Sequence, residues 1–273
     1  MAKHQSKVRG AIRVGVGGWL YAPWRGVFYP KGLKQADELA YAASKLTSIE
    51  INATHYRLQS AATFRKWAAS TPEGFMFSVK GPRIVTNSKV LAETGGYVGR
   101  FLASGLSELG AKLGPVLWQF PPFKRFDPDD VAKFLALLPR ELDGLQLNHV
   151  LEVRHRSFAA PDFVGLLREA RVGVAYTDAK DWPNIPDVTG DVVYARLQQG
   201  DDALEAAYPP SDLDAWAERA KAFAAGSMPQ DLWPLDTTRT AEARPRDVFL
   251  YFIHEGKLRA PAAAMSLIAR LKE

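Results

Sequence analysis

Eight short β-like runs, most of them followed by an amphipathic helical run, order the chain, and few architectures accommodate that rhythm. Strands are expected at 12–17, 48–52, 75–80, 115–120, 148–154, 172–178, 191–198 and 247–253. Helical periodicity is expected at 34–46, 61–70, 97–113, 127–138, 160–171, 211–225 and 261–271. Asp127-Pro128 supplies an N-cap and a proline at the first helical position. A helix between successive strands returns the chain to the same sheet edge, so the strands run parallel. Eight such units in 273 residues predict an α/β fold, a TIM-type (β/α)8 barrel of parallel strands inside an outer helix ring.

A doubly wound sheet is the competitor. Gly15, Gly17 and Gly18 follow the first strand as a dinucleotide-binding loop would require, but the third glycine position holds Leu20. Residues 19–24 then replace the helix start with Trp-Leu-Tyr-Ala-Pro-Trp, which argues against nicotinamide binding. The expected organisation is a flexible basic N-terminus over 1–10, a single barrel domain over 11–273, and an irregular insertion or loop at 226–246. No stretch approaches the ~20 apolar residues of a membrane span, and no apolar segment follows the basic start. A cytoplasmic protein without a membrane partner is therefore expected. The absence of cysteine removes disulfides, thiolate metal sites and cysteine nucleophiles. Thirty-five Lys and Arg against 30 Asp and Glu leave a net charge of +5, a weak pull towards anions.

Strand parity assigns side chains to the barrel interior, because alternate residues point inward and TIM-barrel sites lie at the C-terminal strand ends. Ile49 and Ile51 share the helix-facing side of the second strand, leaving Ser48, Glu50 and Asn52 inward. The same rule turns inward Gly15 and Gly17, Ser78 and Lys80, Leu117 and Gln119, Glu152 and Arg154, Tyr176 and Asp178, and Tyr194, Arg196 and Gln198. Polar groups so concentrated must pair with one another, as Glu152 would with Arg196 or Lys80, or face a ligand. Trp19, Tyr21, Trp24, Phe28, Tyr29 and Tyr56 fall on the adjoining loops. They either stack a ligand or fold the loop beneath itself, the second being expected of Trp24 and Phe28.

An ordered set of motifs resembles the YecE-like family, domain of unknown function 72. The residues carrying it are Val16-Gly17-Gly18-Trp19, Trp24-Arg25-Gly26-Val27-Phe28-Tyr29-Pro30, Ile49-Glu50-Ile51-Asn52-Ala53-Thr54-His55-Tyr56-Arg57, Phe75-Met76-Phe77-Ser78-Val79-Lys80, Leu117-Trp118-Gln119-Phe120-Pro121-Pro122, Leu151-Glu152-Val153-Arg154-His155-Arg156-Ser157 and Tyr194-Ala195-Arg196-Leu197. The resemblance runs nearly end to end. It implies a TIM-barrel-like fold and no established reaction. Two positions depart from the family pattern. Gln198-Gln199-Gly200 stands where a histidine-glycine step is usual, and Ile253-His254 follows Tyr251-Phe252 where two asparagines are usual. Ile253 shares the parity of Tyr251, so an inward polar group is replaced by an apolar one.

The expected site is a binding pocket for a phosphorylated or carboxylated small molecule at the barrel mouth. Glu50, Glu152 and Asp178 are its candidate catalytic carboxylates. Trp19, Tyr21, Asn52, Tyr56, Lys80, Gln119, Arg154, His155, Tyr194, Arg196 and Gln198 are its candidate ligand-binding residues. Arginine forks suit phosphate or carboxylate. Acid–base chemistry would need two carboxylates in unlike environments, Glu152 ionised beside Arg154 and Glu50 raised among aromatics. No metal-ligand spacing is present, so no cofactor is firmly implied; a divalent metal held by the carboxylates and nearby histidines is a minor alternative. Whether the protein is an enzyme stays open, as does its oligomeric state. The alternatives are a binder or processor of single-stranded or flipped-base nucleic acid and a non-catalytic scaffold. The Lys and Arg residues are dispersed along the chain, without the dense patch nucleic-acid binding favours.

Overall fold

Eight strands close on themselves in the computed structural model, which describes residues 9–239 and 241–272. They are β1 (Ile12–Gly17), β2 (Ser48–Ile51), β3 (Met76–Lys80), β4 (Leu113–Gln119), β5 (His149–Glu152), β6 (Gly173–Thr177), β7 (Val192–Gln199) and β8 (Asp247–Glu255). Neighbours follow chain order, every pairing is parallel, and β8 closes against β1. The TIM-type barrel read from the alternation is the observed architecture. Most of the expected basic N-terminus, residues 1–8, lies outside the described residues.

The helix ring follows local signals. Asp127 accepts the backbone N–H groups of Asp129 and Asp130 and opens the helix Pro128–Ala136. The single helix expected over 97–113 is two pieces, Gly95–Leu102 and a 3-10 segment Leu106–Lys112. Gly105 makes the break at φ +106°, where a Cβ would also lie 2.5 Å from Ala61. Residues 178–191 join β6 to β7 without a helix, and the described part of 226–246 is likewise irregular.

The core has two layers. The outer one, between strands and helices, holds the largest side chains, including Trp118, Phe120, Phe134 and Phe158, all fully buried. The inner layer is small: Leu117, Val150, Ala175, Val192, Tyr194, Phe249, Tyr251 and Ile253. Tyr251 and Ile253 therefore share the inner face, as their parity predicts.

Strand six inverts the expected phase. Ala175 lies in the inner cluster, while Tyr176 faces outward with its ring 5.3 Å from Trp216 of the helix Pro210–Ala224. Val172, Val174 and Tyr176 form the outward apolar row, and the small residues Gly173, Ala175 and Thr177 turn inward. The register explains the choice. Ala175 pairs with Tyr194 and Thr177 with Arg196, so small side chains stand beside the two bulkiest inward groups of β7.

Candidate functional site

At the C-terminal ends of the strands one guanidinium organises two buried carboxylates. Glu50 on β2 and Glu152 on β5 are fully buried, and Arg196 on β7 reaches both. Arg196 Nε and Nη2 donate to the two Glu50 oxygens, each at 3.0 Å, a bidentate fork. Its Nη1 donates to Glu152 Oε2. The other Glu152 oxygen accepts Arg154 Nε at 2.7 Å and Gln119 Nε2 at 2.9 Å. Burial alone would push the Glu152 carboxyl up, but Arg196, Arg154 and Lys80 outweigh it and hold the group at about 2. Of the two outcomes expected for the polar cluster, mutual pairing is realised for these groups.

Beneath them Tyr194 donates to Glu50 Oε2 at 2.7 Å, with Ser78 Oγ 2.8 Å from its hydroxyl. Burial, then the Glu50 charge, pushes its ionisation far up, so it stays a neutral donor. Tyr251 and Ser48 form a second hydroxyl pair at 2.6 Å. Glu50 thus meets a guanidinium fork and a phenol donor in place of the aromatic and amide surroundings expected of it.

Lys80 is different. It ends β3, is 8% exposed, and its Nζ has neither a hydrogen-bond nor an ion-pair partner among the described residues. Burial, then the Arg196 charge, pulls its ammonium down to about 8. It borders a mouth cavity of about 410 Å³ together with Asn52, Gln119, Arg154, Arg196 and Gln198. Gly17 opens one wall, since a Cβ there would lie 2.7 Å from Ile253 and 3.0 Å from the Asn52 amide.

Two further cavities share walls with this one. A cavity of about 660 Å³ is joined through Gly17, Asn52, Tyr56 and Lys257, and includes Trp19, Leu20 and Trp67. Another, of about 530 Å³, is joined through Arg154 and includes Arg125, His155, Arg156, Asp181 and Trp182. Across the three, Arg57, Lys66, Lys80, Arg125, Arg154, Arg156, Arg196 and Lys257 face one acid, Asp181. Cations dispersed along the chain are gathered by closure of the barrel.

Several predicted residues lie elsewhere. Asp178 is outside the barrel interior: it accepts the Gln198 backbone N–H at 2.6 Å and the Tyr208 hydroxyl at 2.8 Å. Burial pushes its carboxyl up. The inverted phase of β6 removes it from the mouth, and Thr177, bonded to Gln198 Nε2 at 2.9 Å, takes the inward place. His155 accepts the Ser157 N–H at 3.1 Å and borders the lateral cavity, apart from Lys80. Tyr21 lies under Lys257 Nζ, 4.7 Å from the ring centre, with its edge on Trp24. Tyr56 is exposed at the rim, and Trp19 is buried against Trp67 with rings 5.1 Å apart. Trp24, Phe28 and Tyr29 bury one another, as the folded-under loop requires. Sequence reasoning missed Lys257, just beyond β8, and Trp182, over which Arg154 stacks at 4.8 Å. Neither residue lies in a strand, so parity had no purchase on them.

Among the described residues no group of three or more His, Asp or Glu is placed to hold a metal ion. No helix there is long and apolar enough to cross a membrane.

A family model described as "Protein of unknown function DUF72" matches residues 13–273. The UPF0759 protein YunF of Bacillus subtilis (strain 168) is 29% identical over 157 residues, which are 56% of this chain. That match spans 54% of YunF, about half its length. A crystal structure of a DUF72 family protein from Thermotoga maritima MSB8 superposes with a TM-score of 0.74 at 22% identity, covering 96% of this chain and 100% of the other. Another, from Enterococcus faecalis V583, gives 0.70 at 18% identity, covering 96% of each chain. At these identities the two structures speak to the fold alone.

Proposed function

The chain belongs to the family described as protein of unknown function DUF72, and on that premise we propose, from the site itself, that it binds an anionic small molecule at the barrel mouth. The ligand carries a phosphate or a carboxylate. The observation that carries this reading is the unpartnered Lys80 ammonium, buried beside Arg154 and Arg196 in the mouth cavity. A buried charge without a partner is costly, and a ligand anion offsets that cost. Glu50 and Glu152 offset it only in part, because Arg196 pairs with both and Arg154 pairs with Glu152. Among the described residues Arg154 donates a hydrogen bond through Nε alone, which leaves its outer N–H groups for a phosphate or carboxylate fork. The amides of Asn52, Gln119 and Gln198 add neutral contacts. In this reading Glu50 and Glu152 hold Arg196 in place, and neither Asp178 nor a metal has a role. The narrower YecE-like kinship, resting on the ordered motifs, belongs to the same reading.

Thermal denaturation against inorganic phosphate, dihydroxyacetone phosphate, pyruvate and a wider panel of phosphorylated and carboxylated metabolites tests it. A binder at one hundred times its Kd stabilises by about 2.7 kcal/mol, which raises the Tm of a chain this size by roughly 5–10 °C. The rise is expected to fall at least by half in Arg154→Ala and in Lys80→Gln. If no anion in the panel moves the Tm, the reading fails.

One observation favours a second reading. Three cavities sharing walls, lined by eight cations of which Arg154 and Arg196 are paired with Glu50 and Glu152, by one acid, and by Tyr56 and Trp182 among their aromatics, suit a single-stranded nucleic acid. That occupant predicts retention of an oligonucleotide in a gel, falling steeply between low and moderate salt. A small-anion site predicts no retention.

A further inference from the structure

Building on the anion-binding reading, we propose that Lys80 is a covalent nucleophile. Its Nζ forms an imine with the carbonyl carbon of a small aldehyde or ketone whose phosphate or carboxylate rests against Arg154.

The contrast with two lysines whose ammonium groups the fold satisfies carries the argument. Lys124, also 8% exposed, donates to the carbonyls of Ser88 and Lys89 at 2.6 and 2.8 Å. Lys112 donates to the carbonyls of Ala68 and Thr71, each at 2.6 Å. Both are structural, with their ammonium protons satisfied. Among the described residues Lys80 has no such carbonyl, and its amine borders a cavity large enough for a small metabolite. The charged and titratable groups acting on it are Arg196, Glu50, Glu152 and Arg154, and the His55 ring beyond. His55 is held down to about 4, by burial and then by Lys80, and so stays neutral near pH 7. With its ammonium at about 8, Lys80 at pH 7.5 is about one quarter free amine, against about one part in a thousand for an ordinary lysine.

The step balances without an oxidant or reductant. The Lys80 ammonium first gives one proton to solvent. The free amine lone pair then forms the C–N bond as the carbonyl π pair moves to oxygen. A proton passes from nitrogen to that oxygen through cavity water, giving a carbinolamine. The hydroxyl takes a second proton and leaves as water while the nitrogen lone pair closes C=N. The iminium formed is again a cation above Glu50 and Glu152, so the charge balance of the mouth is preserved. The substrate class is therefore a small carbonyl compound bearing its own anion, such as a 2-oxo acid or a phosphorylated aldose or ketose.

Reductive trapping tests the proposal. The full chain is treated at pH 7.5 with cyanoborohydride and dihydroxyacetone phosphate, and separately with pyruvate, and the labelled lysines are mapped by peptide mass. Lys80 is expected to react at least tenfold faster than the exposed Lys66 and Lys133 with at least one of the two. Excess inorganic phosphate is expected to slow it. Lys80→Arg, which keeps the charge but forms no imine, should fold, keep phosphate-dependent stabilisation and lose the fast label. Labelling of Lys80 no faster than of Lys66, while phosphate still raises the Tm, overturns the imine and spares the anion site. Absence of any anion-dependent Tm rise removes the anion site and this inference with it.

Discussion

The two ends of the barrel use the same residue types to opposite effect. At the N-terminal end Arg168 bridges Asp187 and Asp236, and Arg140, Arg171 and Arg244 converge on Asp191. Arg246 donates to the carbonyls of Gly190, Arg244 and Glu242. These pairs tie Asp187, Gly190, Asp191, Asp236, Glu242 and Arg244 together beside the starts of β7 and β8. At the C-terminal end Arg196 and Arg154 are also paired, yet Lys80 beside them is not. Ion pairs therefore occur at both ends and by themselves distinguish neither. The informative group is the one whose charge the fold leaves unmatched.

The sharpest way to break this contrast is Arg196→Met. It leaves the buried Glu50 with no cationic partner and Glu152 with Arg154 alone, and a loss of about 3–5 kcal/mol in urea unfolding is expected. A loss below 1 kcal/mol would mean that Glu50 and Glu152 are satisfied without it. The next effect belongs to Lys80. Its folded-state value of about 8 lies below the ordinary 10.5, so between those values the unfolded chain binds the extra proton and stability rises with pH. The penalty is fully present below pH 8 and is relieved as pH climbs to 10.5, amounting to roughly 3 kcal/mol. Lys80→Met is expected to be the more stable protein at pH 7.5, with the gap closing by pH 10.5. Parallel stability curves for the two proteins would show that Lys80 is matched after all. The smallest effect is expected from Arg168→Met, whose side chain is 14% exposed and shares its load with neighbouring backbone bonds. It should lower the Tm while leaving any phosphate-dependent rise unchanged. A diminished rise would show that the two ends are coupled.

Parity placed Glu50, Lys80, Glu152 and Arg196 correctly from sequence because their strands carry long apolar residues on the opposite face. It failed in β6, where Tyr176 and Asp178 look like inward polar groups. There the deciding residues are small: Gly173, Ala175 and Thr177 mark the crowded interior, while Tyr176 is a large outward side chain packing on Trp216. Asp178 followed Tyr176 out of the site. The loop residues Lys257 and Trp182 were beyond any periodicity, since a loop has no period. The aromatic loop after β1 was legible in part: Trp24, Phe28 and Tyr29 are mutually buried, while Tyr56 remains at the rim.

The sequence by itself determined the eight-fold alternation, and with it a parallel barrel and the end where polar groups collect. Hydrophobic period and turn chemistry are local properties, readable from neighbouring residues. Which of those polar groups are matched was decided only by closure. Arg196 lies 146 residues from Glu50 and 44 from Glu152 in the chain, yet forms ion pairs with both. An ion pair depends on a few ångströms across the barrel, a separation no local pattern encodes. The same closure gathered eight dispersed cations around the mouth and, among the described residues, left Lys80 without a hydrogen-bond or ion-pair partner.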